Sequence, residues 1–140
     1  MAAYCAQHGL QVMAASPLGA PHKVGAYLAR QRAVGKQLDD ATKLVLANDT
    51  VADIAAELGC TSGQLVLRWG IQRGHTVIPK SFAPQPHLHL RENFAAAEQP
   101  ALSQAQMARI TSLDRGLRAT ALYKSGERNE GGVTDACVLL

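Results

Sequence analysis

A chain of 140 residues, 47% hydrophobic and 18% charged, has enough apolar side chain for one packed core and too little charge for a disordered segment. Aromatics make up only 4%, so that core must be aliphatic and alanine-rich, and the stacking platforms of a single-strand binder are missing. The net charge of +3, with a pI near 8.9, is spread along the chain, which speaks against a nucleic-acid partner, and no apolar run approaches the length of a membrane span.

Residues 1–8 read as the end of a helix, with Gly9 as its C-cap. Residues 10–15, Leu-Gln-Val-Met-Ala-Ala, form a short apolar strand that Ser16, Pro17, Leu18 and Gly19 break sharply. A helix, a glycine and a strand ending in a polar turn make half of an α/β unit. Residues 20–48 read as a long loop with one or two short helices, around 24–32 and 38–46. Lys23, Arg30, Arg32 and Lys36 give that loop a basic character expected of a solvated surface.

The clearest helix starts at Asp49 or Thr50, either of which could cap it, and buries Val51, Ile54, Ala55 and Leu58 before Gly59. Thr61 or Ser62 caps the next, with Leu65, Val66 and Trp69 on its apolar face and Gly74 after its end. A strand over 76–79 follows. Pro84 and Pro86 make a turn before a short helix at 87–97. Ser103 and its neighbours cap a last helix whose buried side holds Met107, Ile110 and Leu113, next to Leu102. Past Arg118 the chain is glycine-rich and polar, a composition expected of a flexible tail.

The three cysteines, Cys5, Cys60 and Cys137, form no CxxC pair, so neither a zinc site nor a disulfide framework is indicated. Reduced thiols in the cytoplasm are the expectation. The first residues lack a basic stretch leading into an apolar run, so a secretory signal is not expected. His87 and His89 lack further ligands at metal-binding spacing and read as loop histidines.

Residues 75–93 carry the most chemistry. The apolar pair Val77 and Ile78 stops at Pro79, and Lys80 and Ser81 follow at once. After the proline-rich turn comes a helix start with Arg91, Glu92 and Asn93. A strand ending in a cation and a hydroxyl beside a helix N-terminus suits a phosphate. The alternative is a solvated strand end, which the spacing alone favours.

Three stretches, taken in order, resemble the C-terminal part of the aldo-keto reductases. Residues 12–19 are similar to a family strand ending in Tyr-Ser-Pro-Leu-Gly. Residues 55–73 are similar to a helix with Thr-x-x-Gln-x-x-Leu-Arg-Trp followed by Gln-Arg-Gly. Residues 77–81, with Glu92, Asn93 and Phe94 and then Leu102 and Ser103, are similar to the Ile-Pro-Lys-Ser signature. The match runs from about residue 1 to Arg118. The resemblance implies an α/β fold, the C-terminal fragment of a (β/α)8 TIM barrel with a C-terminal helix. Residues 1–118 would be a partial NADP-dependent oxidoreductase domain and 119–140 a flexible tail.

The resemblance further implies reduction of small-molecule carbonyls to alcohols by hydride transfer from NADPH. Ser16 and Leu18 would line the pyrophosphate path. Lys80 and Ser81 would meet the phosphate on the adenosine ribose, and Glu92 and Asn93 would hold the adenine. The chain departs from the family at several places. The tyrosine that stacks on the nicotinamide aligns with Ala15. Residues 84–90 contain a small insertion, and the arginine that grips the extra phosphate aligns with His89, which leaves NADP or NAD open. The catalytic Tyr, Asp, Lys and His come from earlier strands, and about two strands are present where a barrel needs eight. A cofactor-binding piece that is inactive alone is therefore expected. A non-catalytic remnant or scaffold is the alternative.

The last four residues, Cys137, Val138, Leu139 and Leu140, match the CaaX prenylation pattern, and the terminal leucine favours geranylgeranyl. No polybasic run supports it. A membrane partner is expected only if Cys137 carries that lipid.

Overall fold

The computed structural model describes residues 2–19, 45–81 and 86–114. The basic stretch, most of the proline-rich turn, the tail and Cys137 lie outside them. Helix α1 (Ala2–Gln7) leads into strand β1 (Met13–Ala15). A 3-10 turn (Val45–Ala47) precedes α2 (Asp49–Glu57), α3 (Ser62–Gln72), β2 (Thr76–Ile78), α4 (Pro86–Ala95) and α5 (Gln104–Thr111).

The helices begin where side chains can take up orphan backbone donors. Asn48, not Asp49 or Thr50, caps α2: it has extended backbone, and its Oδ1 accepts from the Val51 amide at 3.3 Å. Asp49 lies inside the first turn instead, where a carboxylate faces the positive end of the helix dipole. Thr61 caps α3 in a reciprocal box with Gln64, through bonds of 3.2 and 3.0 Å. Ser103 and Gln106 repeat the same box at α5.

Val51, Ile54, Ala55, Leu65, Val66, Trp69, Leu102 and Ile110 close one core between α2, α3 and α5, with Met107 and Leu113 packed against it. Each fully buried Ile or Leu contributes about 1.5–3 kcal/mol of transfer free energy. Leu67 is also buried, so α3 is covered on more than the single face that its spacing suggests. Gln72 clamps the approach to α5. Its Nε2 donates to the Leu102 carbonyl and its Oε1 accepts from the Leu102 amide, both at 2.8 Å.

The two strands pair in parallel, with Met13 opposite Thr76, Ala14 opposite Val77 and Ala15 opposite Ile78. Ala14 and Val77 face the helices. Met13 and Ile78, on the other face, are 61% and 45% exposed. Parallel sheets are normally covered on both faces. Among the described residues, helices cover only one face here.

Candidate functional site

Parallel pairing fixes where the two chemistry-bearing stretches meet. Ala15 and Ile78 are in register and end their strands together. Ser16 to Gly19 therefore leave the same end of the sheet as Pro79, Lys80 and Ser81. Gln11 helps hold this alignment, since its Nε2 donates to the Gly74 carbonyl at 2.8 Å just before β2.

The turn after β1 is tight. Ser16 has φ +56°, and its carbonyl accepts from the Gly19 amide at 2.9 Å. Gly19 also has positive φ, and a Cβ there would meet Val45 Cγ1 at 3.3 Å. Pro17 is buried, and Leu18 packs against the core while staying partly exposed. Such a turn holds the backbone after β1 in one arrangement, and it holds Ser16 in a region that non-glycine residues rarely adopt.

At the end of β2, Lys80 is exposed and Ser81 is half-buried. Asn93, on α4, donates from Nδ2 to Ser81 Oγ at 3.2 Å. Ser81 thus keeps its own O–H to donate, and Asn93 keeps a carbonyl oxygen to accept. One turn earlier on α4, His89 Nδ1 lies 3.1 Å from Glu92 Oε2. The structure thus brings Ser81 and Asn93 together, and His89 and Glu92 together; the helix begins at Pro86, so Arg91, Glu92 and Asn93 lie in its second half and not at the helix start expected from the sequence.

His87 and His89 sit on α4 rather than on a loop, because helix geometry begins at Pro86, a residue well suited to a first helical turn. Among the described residues, no group of three or more His, Cys, Asp or Glu could hold a metal ion. Ala15, half-buried at the end of β1, offers no ring surface. Residue spacing did not reveal the bond between Ser81 and Asn93 or the Gln72 clamp. Both join residues far apart in the chain, and only the packed helices show them.

Comparisons with known proteins agree on one family. The family model described as "Aldo/keto reductase family" matches residues 1–115. An aldo/keto reductase of Synechocystis sp. is 38% identical over 112 residues, covering 80% of this chain and 29% of that protein. An NADP-dependent D-sorbitol-6-phosphate dehydrogenase of Malus domestica is 34% identical over 122 residues, covering 87% of this chain and 34% of that protein. A crystal structure of an aldo-keto reductase enzyme from a Medee basin deep-sea metagenome library superposes with a TM-score of 0.61. It is 26% identical and covers 89% of this chain and 38% of its own. The chain therefore spans about a third of the length of the proteins it matches.

Proposed function

The chain belongs to the aldo/keto reductase family, and on that premise we propose that it is the cofactor-binding C-terminal portion of an NADP-dependent carbonyl reductase, a piece of a (β/α)8 barrel without the catalytic residues. The observation that carries this reading is the shared strand end. The turn at Ser16 and the Lys80, Ser81 and Asn93 cluster leave one edge of a parallel sheet, where α/β enzymes hold their ligands. The uncovered sheet face at Met13 and Ile78 supports the barrel reading, since in a barrel that face packs against the inner side chains of other strands.

The residues suit the adenosine end of the dinucleotide. Lys80 is an exposed point charge for a phosphate, Ser81 has a hydroxyl to donate, and Asn93 offers a donor and an acceptor to a base edge. Ser16 and Leu18 border the path between the two ends. The nicotinamide end suits the cofactor less well, because Ala15 provides no stacking surface. That substitution favours the second reading, a dinucleotide-binding remnant with no chemistry of its own. Free thiols at Cys5 and Cys60 support a reducing, cytoplasmic setting.

The proposal predicts that adenosine 2′,5′-bisphosphate raises the thermal midpoint of the 140-residue chain, through preferential binding to the folded state, and that Lys80→Ala abolishes the rise. It also predicts no NADPH consumption above the blank with an aromatic aldehyde. An unchanged midpoint at saturating ligand would overturn the cofactor reading, and measurable turnover would overturn the absence of catalytic residues.

A further inference from the structure

Resting on the barrel reading above, we propose that the bare face and the outer edges of the sheet form a docking surface for the remaining strands of an aldo/keto reductase barrel, and that this surface accepts them even on a separate polypeptide. The Thr76 amide donates to the Val12 carbonyl at 2.9 Å, and Met13, Ala14 and Ala15 stand opposite Thr76, Val77 and Ile78. Backbone groups alternate sides along a strand. Met13 and Ala15 therefore turn theirs to the outer edge of β1, and Val77 turns its own to the outer edge of β2. Among the described residues, no third strand takes them up. Met13 and Ile78 stand exposed on the bare face, while Ala14 and Val77 pack toward the helices. Neither strand contains a lysine, another charged residue or a proline, the devices that keep an edge from pairing.

The form of this surface selects its occupant. A second copy lying flat on the face would meet little more than Met13 and Ile78, against the roughly 800 Å² per partner that a stable protein pair buries. A lone helix or a lipid surface would cover the face and leave the edge amides and carbonyls without partners. Parallel strands meet both demands, because they pair the edges and cover the face, and a closed sheet has no edge left. The length agrees. The chain covers 29%, 34% and 38% of three proteins it matches, so most of such a sheet lies outside it. The surface also exists before its partner arrives, since α2, α3 and α5 close a core of their own around Leu65, Trp69 and Ile110.

The test is co-expression of the 140-residue chain with a tagged Synechocystis sp. aldo/keto reductase that lacks the 112 residues aligned with this chain. The truncated protein should be recovered in soluble form only with the chain, as a one-to-one complex by native mass spectrometry. Met13→Lys and Ile78→Lys each place a charge on the bare face, and each should lower the recovered complex at least about tenfold, because an unpaired charge is costly to bury. Asp53→Lys, on the exposed side of α2, should leave recovery unchanged. Far-ultraviolet circular dichroism of each free variant should match the wild-type chain, which separates lost docking from lost folding. Absence of a complex, self-association of the chain in its place, or a complex that withstands both sheet substitutions would overturn the inference. Adenosine 2′,5′-bisphosphate binding by the free chain keeps the two readings apart: a chain that binds the nucleotide and fails to dock loses this inference alone, and a chain that docks without binding it loses the cofactor reading alone.

Discussion

Asn93 on α4 donates a 3.2 Å hydrogen bond to Ser81, the third residue after β2. The bond ties the last turn of α4 to the strand end, so the groups proposed to meet adenosine are held before any ligand arrives. Removing one such part-buried bond costs about 0.5–1.5 kcal/mol. Asn93→Ala should therefore weaken adenosine 2′,5′-bisphosphate binding by up to about tenfold, since 1.4 kcal/mol is one decade. Titration calorimetry reads this directly. Unchanged affinity would mean that Asn93 serves only the fold.

Core and bare sheet face should respond oppositely. Leu65 is fully buried, and Leu65→Ala should cost about 2–5 kcal/mol in urea unfolding. Met13 is 61% exposed on the uncovered face. Met13→Ser should stay within about 0.5 kcal/mol and raise solubility, because it interrupts an exposed apolar patch. A large loss at Met13 would show that this face is buried in solution.

Ser16 is the one described non-glycine residue with positive φ. Ser16→Gly should stabilise the chain by about 1 kcal/mol, because glycine tolerates this backbone without a Cβ clash. Thermal unfolding checks it. A lower midpoint would indicate that the serine side chain contributes more than its backbone strain costs.

Glu57 pairs with Arg109 at 3.0 Å across α2 and α5. The Arg109 hydrogen bond, helped by Gln106, holds the Glu57 carboxyl below its ordinary value of 4.5. A folded-state pKa below the unfolded one gives stability that is present above the unfolded value and lost as pH falls through the folded one. Wild type should therefore exceed Glu57→Gln in thermal midpoint near neutral pH, and the two should converge in acid. High salt should also shrink the gap, because the pair is exposed.

Much of the fold was legible in local chemistry. The glycines after α1, α2 and α3, the Thr61 and Ser103 caps, and the i, i+3, i+4 spacing of Val51, Ile54 and Ala55 are all local signals, and each one stands in the structure. Asn48 was missed because three capping-type residues, Asn48, Asp49 and Thr50, are adjacent, and sequence cannot say which one takes the extended conformation. The site was legible as residue types: a cation, a hydroxyl, an amide and a histidine. Its connections were not, because the bond from Asn93 to Ser81 depends on how α4 packs, and the reach of His89 toward Glu92 depends on where the helix begins.

The most direct test of the central claim is an amide chemical-shift map of the 140-residue chain titrated with adenosine 2′,5′-bisphosphate. The proposed corner predicts saturable shifts at residues 16–19 and at Lys80, Ser81 and Asn93 together, because the parallel register brings both strand ends to one site. Shifts confined to surfaces away from that edge, such as the pair of Glu57 and Arg109, or no saturable shifts at all, would contradict it.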